Sequence, residues 1–170
     1  TDGLTGLFNL RRFETQLNAE VRRAQRFGHP LSLLMLDLDH FKRCNDTHGH
    51  EIGNAVLKEL ARVLSSTVRE VDTICRYGGE EFVIILPEAD KFQATKVAER
   101  IRLTTANHSF VASGDKGLTL TISLGVASYP EDAVEARDLV ERADDALYRA
   151  KLSGRNRVCV AGFDRSITSR

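Results

Sequence analysis

The sequence predicts an α+β fold, a mainly antiparallel sheet flanked by helices, and three observations lead there. Helical and strand-like periodicities alternate along the chain without the strict β-α-β regularity of a doubly wound parallel sheet. The pair Gly78-Gly79 joins two apolar β-type runs, the pattern of a tight hairpin. The run Leu31 to Asp37 is short and nearly all apolar, as expected of a strand covered on both faces.

The elements follow in order. Arg11 to Arg26 reads as a charged helix with Phe13, Leu17 and Val21 at fourfold spacing, stopped by Gly28 and Pro30. Leu31 to Asp37 is then the central strand, and a helix is expected to start just after Asp39. From Glu51 to Thr67, Ile52, Val56, Leu60, Val63 and Leu64 trace one helical face that should lie on the sheet. Asp72 to Tyr77 and Phe82 to Leu86 flank the glycine pair, whose tolerance of positive φ suits the turn and puts Glu80 and Glu81 at its tip. Ala94, Val97, Ala98 and Ile101 mark a further helix. Leu118 to Ala127 alternates as a strand through Leu118, Leu120, Ile122 and Leu124. Leu139, Ala143, Ala146, Leu147 and Ala150 mark the last helix, and Val158 to Ala161 a short edge strand.

With 170 residues, 42% hydrophobic content and no internal repeat, the expectation is one domain spanning residues 1–170. Lys and Arg total 24 and so do Asp and Glu, so no global field points to DNA, RNA or an anionic membrane. Cys44, Cys75 and Cys159 are odd in number and widely spaced, which fits neither a disulfide framework nor a zinc site and suggests reduced thiols. The longest apolar stretch, Leu31 to Leu38, is far too short to span a bilayer, and no signal-peptide pattern opens the chain. A cytoplasmic location is expected, with no membrane contact from this segment and any tether outside it.

Asp37 and Asp39 end the central strand and should project to the same side, where two carboxylates near an apolar core call for a cation. Hard oxygen donors without a His or Cys cluster favour Mg²⁺; capping of the following helix is the plainer alternative. Glu80 and Glu81 in sequence repel one another unless something positive lies beside them, although a solvated polar turn explains them as well. Lys42, Lys151 and Arg155 stand where an anion could meet them; for Lys151 and Arg155 the alternative is complementing a helix dipole, with Gly154 as the cap. Backbone N–H groups after Asp39 could cradle phosphate oxygens. Carboxylates, metal and cations together describe phosphoryl transfer better than glycoside or peptide hydrolysis. No Walker A loop, Gly-x-Ser-x-Gly elbow or His-Glu-x-x-His helix is present. His48 and His50 cannot share a helix face, and His29, His40 and His108 are assigned to the surface or to local structure.

Several separated motifs together resemble one family, the GGDEF diguanylate cyclases, over essentially the whole chain. They are the start Asp2-Gly3-Leu4-Thr5-Gly6-Leu7-Phe8-Asn9-Leu10-Arg11-Arg12, and the block Asp37-Leu38-Asp39-His40-Phe41-Lys42 with Asn45-Asp46, Gly49-His50 and Gly53. The signature follows in the form Gly78-Gly79-Glu80-Glu81-Phe82, and the ending is Ala146-Leu147-Tyr148-Arg149-Ala150-Lys151 with Gly154-Arg155-Asn156.

The resemblance implies a sheet related to nucleotidyl-cyclase and polymerase palm domains, with a ferredoxin-like core. It implies two ions per active site, Mg²⁺ with Mn²⁺ as an alternative, held by Asp37, the Leu38 carbonyl and Glu80. Glu81 belongs to the same acidic site, and Glu80 is the family-based proton acceptor, a role the sequence does not separate from metal ligation. Two GTP molecules would become cyclic di-GMP across a dimer of two copies of the domain, with loss of two pyrophosphates. Lys42, Lys151 and Arg155 match triphosphate-binding positions, Asn45 matches a guanine contact, and His50 lies in the same substrate block. Asn54 departs from the pattern: the position is often Asp, which accepts from both guanine donors, whereas an amide has one acceptor oxygen. A relaxed purine preference is therefore one alternative, and an inactive GTP- or cyclic di-GMP-binding module another. Arg69 and Asp72 form the Arg-x-x-Asp pattern of product-inhibited members, with Arg100 as a third contact to inhibitory cyclic di-GMP; a local surface ion pair is the plainer reading. The resemblance also implies excision from a longer sensor protein.

Overall fold

The computed structural model describes residues 1–110 and 117–162. Its sheet is built from β1 (Leu31–Leu38), β2 (Thr73–Arg76), β3 (Glu81–Pro87), β4 (Ile122–Tyr129) and β5 (Val158–Val160), in the spatial order β2-β3-β1-β4-β5. The pairs β1–β3, β1–β4 and β2–β3 are antiparallel, and only the edge strand β5 runs parallel to its neighbour. The expected class and the central place of Leu31 to Asp37 are both found. Every residue of β1 is buried, because helices cover both sides of the sheet.

Alternation along β1 decides which helices meet which face. Leu31, Leu33 and Met35 point into a core formed with Phe13, Leu17 and Val21 of α1 (Leu10–Phe27) and Leu139, Ala143 and Leu147 of α5 (Ala136–Leu152). Leu34, Leu36 and Leu38 point the other way. There they meet Phe41 and Cys44 of α2 (Phe41–His48), Val56, Leu60 and Leu64 of α3 (His50–Thr67), and Ala94, Ala98 and Ile101 of α4 (Lys91–Asn107). Asp37 continues the first series, so its carboxylate is directed to the side on which α5 ends.

The α1 helix ends at Gly28, at φ 68°, as the sequence predicts, and is capped at its start by the Asn9 side chain accepting from Arg12 N–H. A capping box of Asp90 and Gln93 opens α4. The strand expected from Leu118 begins only at Ile122. Leu118 instead exchanges two backbone hydrogen bonds of 2.8 Å with Phe110 in an isolated bridge, which takes it out of the main sheet. The alternation of Leu118 and Leu120 survives as partial burial against the core rather than as strand pairing. Among the described residues no helix is long and apolar enough to cross a membrane.

Candidate active site

The end of β1, the hairpin between β2 and β3, the start of α2 and the end of α5 converge at one edge of the sheet. They enclose a cavity of about 450 Å³ lined by Asp37, Leu38, Asp39, Lys42, Glu80, Lys151 and Arg155, with His40, Phe41, Arg43 and Asp46 on the same wall. Seven residues singled out from the sequence, up to 118 positions apart (Asp37 to Arg155), thus face one space. Arg43 was not foreseen: a single arginine on an exposed helical face carries no signal of its own.

The hairpin holds the acidic side. Glu81 opens β3 directly opposite Asp37 of β1, and Leu38 N–H donates to the Glu80 carbonyl at 3.3 Å. The expected positive φ at Gly78 and Gly79 is absent, because the turn closes by another route. The Glu81 carbonyl accepts both the Tyr77 N–H at 2.8 Å and the Gly78 N–H at 3.1 Å. Arg76 spans the outside of the turn, donating to the Gly78 carbonyl at 3.2 Å and the Gly79 carbonyl at 2.7 Å, and its guanidinium is held in turn by Asp2 at 3.3 Å. Asp2 also accepts from the Thr5 N–H and hydroxyl at 2.8 and 2.6 Å, which ties the entry turn to the hairpin. Close approach bears on Gly78 alone, where a Cβ would lie 3.3 Å from Glu81 Oε1; a Cβ on Gly79 would meet nothing within 4 Å.

The three acidic side chains share a deficit of positive charge. Burial, joined by the Asp37 charge, pushes Glu80 and Glu81 above the usual glutamate range. Burial also raises Asp37, although Lys151 and Arg155 pull in the opposite direction. Lys151 Nζ forms an ion pair with Asp37 Oδ2, so an ammonium already stands beside the carboxylate. That stand-in cation, two oxygen-donor side chains and the absence of nearby thiols or imidazoles in the donor set fit a hard divalent ion. Among the described residues no group of three His, Cys, Asp or Glu side chains is gathered closely enough to hold a metal alone, so further donors would have to come from elsewhere, such as substrate phosphates.

Asp39 does not join this group. It lines the same cavity, but its carboxylate is taken up by Ser123 Oγ at 2.6 Å, Thr121 Oγ1 at 2.7 Å and the Asn156 N–H at 3.0 Å, whereas that of Asp37 pairs with Lys151. Neither aspartate caps α2 either. The N-cap is His40 at φ 56°, with no side-chain cap hydrogen bond, which leaves the first turn of α2 facing the cavity without a competing side-chain acceptor.

Seven of the expected residues do not line that cavity. Glu81 sits behind it, with Oε1 3.3 Å from where a Cβ on Gly78 would lie. Asn45, His50 and Asn54 belong to the angle between α2 and α3, where Gly49 at φ 90° turns the chain. His50 and Asn54 are one helical turn apart on the exposed side of α3. The Asn45 Oδ1 is buried without a hydrogen-bond partner, packed so closely on Gly53 that a Cβ there would overlap it. Arg69 makes a 2.8 Å ion pair with Asp72 and donates to the Pro87 carbonyl at 2.8 Å, while Arg100 donates to the Thr67 carbonyl, two residues before Arg69, at 2.5 Å.

Known proteins place this arrangement. The family described as diguanylate cyclase, GGDEF domain, matches residues 1–157. The response regulator PleD of Caulobacter vibrioides is 48% identical over 159 residues, 93% of this chain and 35% of PleD, so the chain spans about a third of that relative's length. The active GGEEF domain of a diguanylate cyclase from Vibrio cholerae superposes with a TM-score of 0.85 at 36% identity, over 91% of this chain and 97% of that one. The GGDEF domain of DgcB from Caulobacter crescentus, solved in complex with c-di-GMP, gives 0.86 at 36% identity over 94% of each chain. In sequence and in fold, this chain belongs to the GGDEF family of diguanylate cyclase domains.

Proposed function

We propose that this chain is the catalytic unit of a longer cytoplasmic diguanylate cyclase, which joins two GTP molecules into cyclic di-GMP and releases two pyrophosphates. The observation that carries the reading is the single cavity in which Asp37 and Glu80 face Lys42, Lys151 and Arg155. Carboxylates on one side and three cations on the other form a receptor for a metal–triphosphate, the substrate form that phosphoryl transfer uses.

Asp37, the Leu38 carbonyl and Glu80 would hold Mg²⁺ or Mn²⁺. Bound there in a pair, the ions would polarise the α-phosphate and lower the pKa of the attacking 3′-hydroxyl. The protein's own groups do the rest. Lys42 and the first N–H groups of α2 receive phosphate oxygens, and Arg155 offers a planar fork to them. Lys151, paired with Asp37 in this structure, would be free to bind phosphate where a metal ion took that carboxylate. Glu80, whose raised pKa brings it closer to neutrality, is placed to take the hydroxyl proton, with Glu81 behind it sustaining the negative field.

Guanine is read between α2 and α3, where the unsatisfied Asn45 Oδ1 is an acceptor in want of a donor and His50 and Asn54 line the exposed side. Asn54 supplies one acceptor in place of the two of a carboxylate, which weakens discrimination against adenine. One domain holds one GTP, so a second copy must bring the other, and catalysis requires two domains facing each other. Cyclic di-GMP acts back at Arg69, Asp72 and Arg100. The Arg69 guanidinium, 52% exposed, is already fixed by a nearly fully buried Asp72, so its fork is organised before a ligand arrives.

The test is a product assay on the chain fused to a dimerising coiled coil, with GTP and Mg²⁺. Cyclic di-GMP and pyrophosphate should form, and Asp37→Asn or Glu80→Gln should each lower the rate by at least about 100-fold, the scale of losing a transition-state electrostatic contact. Retained turnover in both variants would refute the site.

A further inference from the structure

Asp39 stands two residues beyond Asp37, is 4% exposed, and carries the three hydrogen bonds described above. Two of them, from Ser123 and Thr121, bind it to β4 and the segment entering it. The third reaches 117 positions along the chain to a backbone N–H just beyond α5.

That third partner lies in an unusual turn. Gly154, Arg155 and Asn156 have φ of 127°, 63° and 46° in succession. Glycine adopts such angles freely and asparagine tolerates them, but an arginine there is held against its preference. A conformation of this kind persists only where the surroundings enforce it, and it collects at functional positions. Four hydrogen bonds hold it: the Asn156 N–H on Asp39 Oδ2 at 3.0 Å, the Asn156 side-chain oxygen accepting from Arg102 Nη1 at 3.1 Å, the Arg155 N–H on the Ala150 carbonyl at 2.9 Å, and the Arg155 carbonyl accepting from Arg157 Nε at 3.1 Å. The first is a charge-assisted bond inside the protein, the stronger kind. Between Gly154 and Asn156 the turn presents Arg155 to the cavity shared with Asp37, Lys42 and Glu80.

We propose that Asp39 is a positioning residue for triphosphate binding: although it borders the cavity, its oxygens are taken up by protein donors, and it acts on the ligand by fixing the left-handed turn after α5 so that Arg155 faces the cavity. The proposal rests on the reading of that cavity as a triphosphate site. The charge is what an asparagine would lose: Thr121 and the Asn156 N–H share Oδ2 while Ser123 is on Oδ1, so an amide oxygen keeps the geometry at Asn156 but gives up the charge assistance that strengthens that bond. Lys151 lies within α5, ahead of the turn, and is held independently by Asp37, so its contribution does not pass through Asp39.

The experiment is a double-mutant cycle on dissociation constants, read by calorimetry with the non-cleavable α,β-methylene analogue of GTP and Mg²⁺. Arg155→Ala should weaken binding about tenfold, the worth of one charge-assisted contact, and Asp39→Asn about five- to tenfold. Together they should be no worse than Arg155→Ala alone within about twofold, whereas independent residues would multiply to about fiftyfold or more. Ser123→Ala removes a different bond to Asp39; it should lower the melting temperature and leave the dissociation constant unchanged. If Asp39→Asn alone does not fold, Asn156→Gly added to it relieves the left-handed strain and allows the cycle to be run on that background. Multiplicative losses, or full affinity in a folded Asp39→Asn variant, overturn the proposal. A wild-type chain that binds the analogue yet forms no product when dimerised refutes the cyclase reading and leaves the positioning role standing; a wild-type chain that does not bind it refutes both.

Discussion

At the scale of residues, the acidic trio costs the fold stability at the place proposed to receive a cation. Asp37, Glu80 and Glu81 all sit above the ordinary carboxylate range because they are partly buried and repel one another. The sign follows from that direction. A carboxylate whose folded pKa is raised is disfavoured in its charged form, so its cost is absent below the unfolded pKa and fully present above the folded one. Without metal, the wild-type chain should therefore lose stability relative to Glu80→Gln as pH rises from the acid range to neutrality. At about pH 7.5 the variant should melt at the same temperature as the wild type or higher, and added Mg²⁺ should raise the wild-type melting temperature more than the variant's. A clear destabilisation of metal-free Glu80→Gln at that pH would show that Glu80 is a structural residue instead. Much of this site was legible in the sequence. Asp37, Lys42, Glu80, Lys151 and Arg155 are chemically marked types at the ends of periodic segments. The partners of Asp39 were not legible: they are two small hydroxyls and a backbone N–H, 82 to 117 positions away, and a backbone donor leaves no mark in a sequence.

At the scale of elements, the distance between α5 and the sheet sets where Lys151 and Arg155 arrive. Gly125 on β4 makes that distance short: a Cβ there would overlap the Ala143 carbonyl and the Leu147 N–H of α5 and lie 3.0 Å from the Ala146 carbonyl carbon. These are backbone atoms in the middle of a helix, which cannot step aside individually. Gly125→Ala should consequently push α5 away as a unit, costing about 1–3 kcal/mol as overpacking does. It should lower activity further than a stability loss of that size explains, because the end of the helix that carries Lys151 and leads to Arg155 moves too. Denaturant melts and product assays at saturating metal read the two effects separately; unchanged activity with lowered stability would mean that α5 does not set the geometry. Periodicity found both β4 and α5 but not this contact. A lone glycine in a strand signals close approach without saying to what, and here the answer lies about 20 residues downstream. The hairpin was legible for a different reason, since two glycines between apolar runs mark a turn even though neither uses a positive φ.

At the scale of the whole molecule, the site lies on one edge of the sheet with its cations and carboxylates turned outward, and in the proposed enzyme two such edges meet. The chain is formally neutral, with 24 basic and 24 acidic residues, so long-range charge repulsion does not oppose that approach. Two phosphodiester bonds have to form, and each domain brings one GTP and one acidic cluster. If each cluster serves one bond, a dimer with a single intact cluster stops halfway. An obligate heterodimer of wild type with Glu80→Gln, made by fusing each chain to one half of a heterodimeric coiled coil, should release one pyrophosphate and accumulate the linear dinucleotide with its 5′-triphosphate. Chromatography with mass detection distinguishes that species from cyclic di-GMP. Residual cyclisation should run at least about 100-fold below the wild-type homodimer, the loss expected of one missing electrostatic contact in the transition state. Cyclic di-GMP at half the wild-type rate would instead mean that one cluster makes both bonds in turn, with the linear intermediate rebinding in the reverse orientation. The second domain would then only deliver a nucleotide, and Glu80 on that side would be dispensable.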